Sequence, residues 1–303
     1  MKLKVLIVGL GSAGKRHATI LKNKFKISNI YFLTKKRNQS NSIKSNLEIK
    51  KINPDYIIIA NPTSEHFKVL KFLEKNFSGK IILVEKPLYE KFRNLNIRKN
   101  KVFVAYQLRF HPVILKLKEL SKSQKLFNIN VIANSYLPDW RKTNYRYSYS
   151  SKKKEGGGVL LDLSHELDYI NWIFPNIKFN FFLNKKISTL DINSDDIAII
   201  NGSLNKKLFC QINLNYFSMI PKRLIFLDGK NISFYGDLIN NFYRLNINKK
   251  IKRKKIKISK FYLTYQLHKS ILEKKYKNLC SYNDGLNLLK IMNKLNNNKF
   301  KKI

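Results

Sequence analysis

Three glycines near the amino terminus carry the clearest chemical signal in the chain. Gly9, Gly11 and Gly14 spell G-x-G-x-x-G directly after an apolar run at residues 3–8 and directly ahead of a helical stretch at residues 14–25. The first permits a tight turn, the second lets a pyrophosphate approach the backbone, and the third lets helix and strand pack closely. The helix start, with Ser12 and Ala13 between the last two glycines, offers N–H groups and a positive dipole end to phosphates. These five residues are therefore the expected cradle of a dinucleotide. An NAD site usually places an acid about 20 positions further on, against the ribose 2′-hydroxyl. Here the chain reads Leu33-Thr34-Lys35-Lys36-Arg37, without a carboxylate. Thr34, Lys35 and Arg37 suit a 2′-phosphate instead, so the expected cofactor is NADP or NAD, with NADP favoured.

Such a cradle needs a parallel sheet behind it, and the first third of the chain has the grammar of one. Short apolar strands at residues 3–8, 30–33, 56–60, 81–84 and 102–105 alternate with helical stretches at 14–25 and 65–75, the pattern of an α/β doubly wound domain. Few residues separate Pro87 from Val102, so the crossover there is expected to be abbreviated and that sheet edge less well covered. Beyond about residue 115 the pattern changes. A linking helix at 113–121, a strand near 129–133, an aromatic and basic loop at 137–151, and a long helix after Gly156-Gly157-Gly158 come first. Alternating strands then fill residues 179–258, and a helix closes the chain at 284–295. The expected organisation is a Rossmann domain over 1–115 and an α+β domain over 116–303, built on a mostly antiparallel sheet and serving substrate binding and oligomerisation.

Composition narrows the remaining classes. With 60 basic and 19 acidic residues the net charge is +41, yet only ten of the basic residues are arginine. Arginine is the usual residue for bidentate phosphate and base contacts. Lysine, asparagine and isoleucine are abundant together along the whole chain, as a compositional bias would leave them; a basic surface for anionic ligands is the competing explanation. The dense run at 249–257 reads as a solvated strand or hairpin flank. No nucleic-acid motif appears and no apolar run approaches the ~18 residues that span a bilayer. The apolar start leads straight into the glycine motif, which favours a buried strand over a secretory signal. Cys210 and Cys280 fit neither a disulfide framework nor a metal site. A cytoplasmic protein without nucleic-acid or membrane partners is expected.

Four further segments join the glycine loop: Asn61-Pro62 with His66, Glu85-Lys86-Pro87, YQLRFHP at 106–112, and GGGVLLDLSHELD at 156–168. Their order and spacing resemble the glucose–fructose oxidoreductase, inositol dehydrogenase and MocA (Gfo/Idh/MocA) family over nearly the whole chain, including Asp284-Gly285-Leu286. The segment at 137–150 followed by the glycines looks like the branch acting in sugar-nucleotide and surface-polysaccharide chemistry. The resemblance implies hydride transfer between nicotinamide C4 and a carbinol carbon of a sugar or cyclitol. It assigns Lys86 to the substrate hydroxyl and cofactor, His165 to general acid–base work, and Asp162 as the partner of that histidine. Asp162 stands three residues before His165 rather than the family's four; on one continuous helix both would still share a face. A stabilising pair between His165 and Asp168 is the alternative.

The resemblance also places Asn61, Pro62, His66, Glu85 and Lys86 against the cofactor and implies a cis peptide before Pro87. Arg109 falls among substrate-proximal residues, where it would hold a phosphate or carboxylate, or else form a salt bridge. Trp140 and Tyr145, with Arg141 and Arg146, would cover a sugar nucleotide or pack between subunits. His17, His111 and His268 read as structural. The expected protein is an NAD(P)-dependent sugar or sugar-nucleotide oxidoreductase, a homodimer or homotetramer, with its substrate at the carboxyl ends of the sheet strands. The alternative is a non-catalytic dinucleotide-binding regulator or scaffold of the same fold.

Overall fold

A computed structural model describes residues 3–34 and 40–297. Packing divides the chain into two units: residues up to Gln107 together with Phe261–Leu289, and Leu108–Lys260 together with the chain from Lys290 on. The first unit opens β1 (Val5–Val8), α1 (Ser12–Phe25), β2 (Ile30–Leu33), β3 (Ser42–Ile43), α2 (Asn46–Ile52), β4 (Tyr56–Ile59), α3 (Thr63–Asn76), β5 (Ile81–Val84) and β6 (Lys101–Val104). Every residue of β1 and β4 is buried, as a central strand covered by helices on both faces requires. That continuous burial is why these runs are apolar throughout instead of alternating. The order β3-β2-β1-β4-β5-β6 is parallel throughout, so strand order reverses between β1 and β4. Ligands of open α/β sheets bind outside the strands' carboxyl ends at such a reversal. Neither β3 nor α2 is signalled by periodicity, since each is too short to show a full period. The Ser45 hydroxyl nonetheless accepts from Glu48 N–H and donates to the Glu48 carboxylate, a capping box that starts α2.

The second unit comprises α4 (Pro112–Ser123), β7 (Leu126–Tyr136), α5 (Val159–Asp162), α6 (His165–Ile173), β8 (Lys178–Lys185), β9 (Ile197–Leu204), β10 (Leu208–Asn215), β11 (Phe217–Gly229), β12 (Ile232–Asp237), β13 (Phe242–Ile247) and β14 (Lys250–Lys255). Its sheet runs β14-β13-β12-β11-β7-β10-β9-β8, antiparallel except where β7 and β10 pair in parallel. Buried residues alternate with more exposed ones along β10 and β12, so the apolar face packs inward at period two. At Gly236 a Cβ would stand 2.5 Å from Val113 Cγ1, so glycine there lets α4 lie close on the sheet. The basic run forms the solvated edge strand β14, every residue exposed. A row of cations on an edge discourages strand addition by another chain. The long helix expected after the glycines is two helices, broken at Leu163-Ser164.

The chain then returns to the first unit as α7 (Tyr262–Leu272), β15 (Cys280–Ser281) and the start of α8 (Tyr282–Asn297), whose residues from Lys290 on belong to the second unit. No helix forms between β5 and β6, as the shortened crossover foretells, but the sheet edge is not left open. β15 pairs with β6 in antiparallel fashion. Tyr282 Oη accepts from Leu95 N–H at 2.9 Å, and a Cβ on Gly285 would stand 2.7 Å from Val104 Cγ2. What sequence spacing cannot convey is that α7 belongs to the first unit's core. His268 of α7 is fully buried. Its Nδ1 lies 2.9 Å from Tyr56 Oη and its Nε2 lies 2.8 Å from His17 Nδ1. His17 Nε2 in turn lies 2.9 Å from Glu85 Oε1.

Burial raises the Tyr56 hydroxyl far above its usual range and pushes His268 well below that of an imidazole. The phenol therefore keeps its proton and His268 stays neutral, in an arrangement that joins Tyr56, His268, His17 and Glu85 in one chain of hydrogen bonds. The unfolded chain's histidine takes up a proton near pH 6.5 that the folded His268 refuses, so the unfolded state binds more protons below that pH. Stability is complete above about pH 6.5 and falls as pH drops, by about 1.4 kcal/mol per pH unit for each such group. Burial depresses His66 and His111 in the same direction. Urea denaturation between pH 7 and pH 5 should show this fall, and His268→Gln should flatten it by about one group's share; a slope unchanged by that substitution would refute the arrangement.

Candidate active site

The glycine loop leaves the carboxyl end of β1, where Gly9 N–H donates to Leu33 O at 3.0 Å. Gly9 has φ +93°, and a Cβ there would stand 2.7 Å from the Ala60 carbonyl oxygen; one on Gly14 would stand 2.1 Å from the Gly9 carbonyl oxygen. Both positions are closed to any side chain. Gly11 differs, with nothing within 4 Å of where its Cβ would be. The chain is thus crowded at two glycines and open at the third, the one assigned to the pyrophosphate. Gly11 and Ser12 are exposed and Ala13 is half-buried at the start of α1. Thr34 follows β2 and is half-buried; Lys35 and Arg37 lie outside the described residues.

The loops after β4 and β5 join this site through a buried histidine. His66 Nε2 lies 3.0 Å from the Asn61 carbonyl, and its Nδ1 lies 3.2 Å from the carbonyls of both Pro87 and Leu88. Burial depresses its pKa more than these three carbonyls raise it. One ring therefore ties the turn Asn61-Pro62 to the segment that follows Lys86. The Lys86–Pro87 peptide is cis. Glu85 anchors the other side of Lys86: its Oε1 accepts from Arg16 Nη2 and from His17 Nε2, both at 2.9 Å, and its Oε2 accepts from Lys86 N–H at 3.2 Å. Burial alone would raise the Glu85 carboxyl. His17, with Arg16 and Lys86, outweighs burial and holds it well below the usual carboxylate range. Lys86 itself is half-buried.

The site fits a dinucleotide on two counts besides the motif. The space over Gly11 is open, and Asn61 Oδ1 is buried without a hydrogen-bond partner among the described residues. A buried acceptor of that kind costs about 1–3 kcal/mol unless a donor reaches it, and a bound ligand would supply one. Gly9, Gly11, Ser12, Ala13 and Gly14 would hold the phosphates, while Asn61, Pro62 and Lys86 stand on neighbouring strand ends.

In the second unit the expected residues gather around the paired helices α5 and α6. Gly158 has φ +124°, and a Cβ there would stand 2.4 Å from Asp195 Oδ1. Val159 N–H donates to the Asp195 carbonyl at 3.0 Å and Leu160 N–H to its carboxylate at 3.2 Å. Asp195 thus starts α5, and the glycines make room for it. Burial raises its pKa against those bonds. Asp162 ends α5 and His165 begins α6, so the single-helix argument that put them on one face does not apply. The Asp162 carboxylate accepts from Tyr216 Oη at 2.6 Å and also from Tyr149, two phenols that sequence reasoning did not single out. Burial, with this carboxylate beside them, raises both tyrosines far above their usual range. His165 is 8% exposed.

The expected substrate role of Arg109 needs correcting. The side chain is 1% exposed, and its fork holds Asp168, Nε to Oδ2 at 2.9 Å and Nη2 to Oδ1 at 2.7 Å. Its guanidinium also lies 5.1 Å from the centre of the Trp172 ring. Burying a guanidinium demands a carboxylate partner within the protein, and Asp168 is that partner. Asp168, which the sequence also offers as a partner for His165, is the carboxylate that holds Arg109. Glu166, fully buried, is held likewise by Arg223, Nε to Oε1 at 2.7 Å and Nη2 to Oε2 at 3.0 Å. Trp140 donates to Ser135 Oγ at 3.1 Å and meets Tyr216 edge to face. Tyr145 Oη accepts from Asp191 N–H at 3.2 Å. The aromatic segment is therefore ordered by contacts within its own unit. Among the described residues no group of three or more His, Cys, Asp or Glu could hold a metal, and no helix is long and apolar enough to cross a membrane.

Known proteins resemble the chain in part of its sequence and in its fold. The sequence model of the oxidoreductase family with an NAD-binding Rossmann fold matches residues 3–102. An uncharacterized oxidoreductase of Synechocystis sp. is 27% identical over 192 residues, a stretch covering 56% of this chain and 51% of that protein; the chain thus spans about half the length of the curated relative it matches. Among solved structures, the WlbA dehydrogenase from Bordetella pertussis in complex with NADH and UDP-GlcNAcA superposes with a TM-score of 0.73 at 15% identity, covering 96% of this chain and 94% of that one. A super-repressor mutant of Gal80p from Saccharomyces cerevisiae gives a TM-score of 0.77 at 15% identity, covering 98% and 95%. These two likenesses speak for the fold. Over residues 3–102, about a third of the chain, the sequence is similar to the NAD-binding Rossmann domain of that oxidoreductase family.

Proposed function

We propose that the chain is an NAD(P)-dependent dehydrogenase or reductase acting on a carbinol or keto carbon of a sugar, sugar nucleotide or cyclitol, in surface-polysaccharide biosynthesis. The observation that carries this reading is the fixing of Lys86. Its peptide is held by Glu85 on one side, and the following carbonyls by His66 on the other, at the carboxyl end of a strand in the sheet that bears the glycine loop. A bound nicotinamide supplies or accepts the hydride. Lys86 hydrogen-bonds the substrate hydroxyl. His165 takes the hydroxyl proton as the C–H hydride leaves the same carbon, and returns it in the reverse direction. Asp162, with its tyrosine partners, carries the negative charge beside the segment that presents His165. The likeness to a dehydrogenase solved with NADH and UDP-GlcNAcA supports the sugar-nucleotide class.

Lys35 and Arg37 supply the preference for NADP in this reading, and Trp140 and Tyr145 stack on or cover the sugar nucleotide. The outer face of the antiparallel sheet, with Phe127 and Phe209 exposed, suits pairing with a second copy in a dimer or tetramer. The fold likeness to Gal80p favours one other reading, a dinucleotide-binding regulator without turnover.

Turnover separates the two. Lys86→Ala is expected to keep cofactor binding, read by reduced-cofactor fluorescence, while lowering kcat on a sugar-nucleotide panel by roughly 10²–10⁴-fold, the usual worth of a positioned acid or base. Cofactor binding with no turnover of any sugar by the unsubstituted chain would establish the regulator instead. In the same titration, NADPH should bind more tightly than NADH. The double variant Lys35→Ala/Arg37→Ala should weaken NADPH by about tenfold or more, one such decade being about 1.4 kcal/mol, and leave NADH nearly unchanged. Equal losses for both cofactors would rule out a 2′-phosphate contact.

A further inference from the structure

At the opposite end of the parallel sheet from the glycine loop lies a groove of about 710 Å³, where β5 and β6 begin. It exists because no helix covers the crossover; an extended strap runs there instead, and its last residues form one wall. Lys80, Arg98, Lys99, Lys101 and Lys274 line it together with Tyr276, and no carboxylate does. Among the described residues none of these five cations has an ion-pair partner. Other surface lysines are paired, such as Lys116 with Glu119, Lys152 with Glu155 and Lys275 with Glu273.

The acids nearest in sequence to the groove, Glu74, Glu273 and Asp284, are engaged by other groups; Asp284 Oδ2 accepts from Ser281 N–H at 3.1 Å. Buried Glu74 gives Oε1 to Arg98 N–H and Lys99 N–H, and Oε2 to Asn100 Nδ2, all at 2.7 Å. Its role is to fold the strap. Glu273 pairs with Lys269 and Lys275. The walls are also knitted together: Gly79 N–H donates to Lys99 O, Lys101 N–H to Lys80 O, and Lys80 N–H to Asn100 Oδ1. The backbone that carries the cations is thus set in advance. Lys101 Nζ stands 4.4 Å from the centre of the Tyr276 ring, while Phe103 occupies that ring from another direction at 5.1 Å. The ring is therefore already in use and offers no stacking platform for a base.

Several like charges within about a Debye length (~8–10 Å) raise the energy of a groove that lacks counter-charge, and an anion of several charges relieves it. We propose that this groove is a binding site for a linear oligophosphate anion, recognised by its charge and not by any ring it carries. The site is separate from the dinucleotide loop and needs none of the residues assigned to turnover.

The test is calorimetric titration of the whole protein with inorganic triphosphate, at low and at physiological salt. Two variants are compared: Lys80→Ser/Arg98→Ser/Lys101→Ser in the groove, and Lys250→Ser/Lys252→Ser/Lys254→Ser on exposed β14, which removes the same charge elsewhere. The groove variant should lose about tenfold or more in affinity, with each decade about 1.4 kcal/mol, while the β14 variant stays within about threefold of the parent. Should the groove variant fail to fold, Lys80→Ser and Lys101→Ser singly should each give a partial loss. Equal losses in both variants would assign binding to total charge. That result would overturn the site, as would triphosphate binding that survives in the groove variant or fails in the parent.

Discussion

A carboxylate taken out of water survives as an ion only if cations and donors replace the water it lost. Glu85 meets that demand with Arg16 and His17 from α1, and the solution governs much of the first unit. His17 must present Nε2 to the carboxylate, which leaves Nδ1 for His268, which in turn presents its other nitrogen to Tyr56. Four side chains, from α1, β4, α7 and the residue that follows β5, thus share one chain of hydrogen bonds. The same carboxylate accepts the N–H of Lys86. The residue proposed to meet the substrate is therefore placed by a network that closes only when the chain comes back with α7. That dependence explains why a helix beginning at residue 262 packs as part of a domain begun at residue 3.

The readable portion of the fold was the portion encoded locally. Fully apolar strand runs, the glycine spacing and the shortened crossover are patterns within a few residues of one another, and residues 30–33 and 81–84 are strands to the residue. The basic run, read as a solvated strand or hairpin flank, forms the exposed strand β14. What escaped were pairings between distant residues. His17 and His268 looked merely structural because nothing in either neighbourhood announces the other. Arg109 looked like an anion ligand because a sequence cannot show that Asp168 claims both ends of its fork. The break at Leu163-Ser164 was hidden by a run that reads as uninterrupted helix. Tyr149 and Tyr216 drew no notice because phenols are common in this chain, and only their convergence on Asp162 distinguishes them.

The division of labour between arginine and lysine follows from the same physics and bears on the large net charge. Three of the ten arginines hold buried or nearly buried carboxylates: Arg16 on Glu85, Arg109 on Asp168, Arg223 on Glu166. A planar fork satisfies both oxygens of a carboxylate, which an ammonium cannot do. Many acids are used inside as well. Asp162, Asp195 and Asp196 set the loops and helix ends of the second unit, and Glu74 folds the strap of the first. Acids spent in the interior leave fewer carboxylates on the surface for the lysines.

An excess spread evenly over a surface is screened by salt and carries no information. It becomes specific only where the backbone holds several cations in fixed relation and nearby acids are engaged by other groups. The strap between β5 and β6 meets both conditions, since Glu74, which folds it, has both oxygens turned to the strap's own N–H groups and to Asn100. On β14, by contrast, the lysines project from a single edge strand into open solvent, with no opposing wall to fix a ligand. The two basic segments have similar composition and different consequences, and the difference lies in the fold around them.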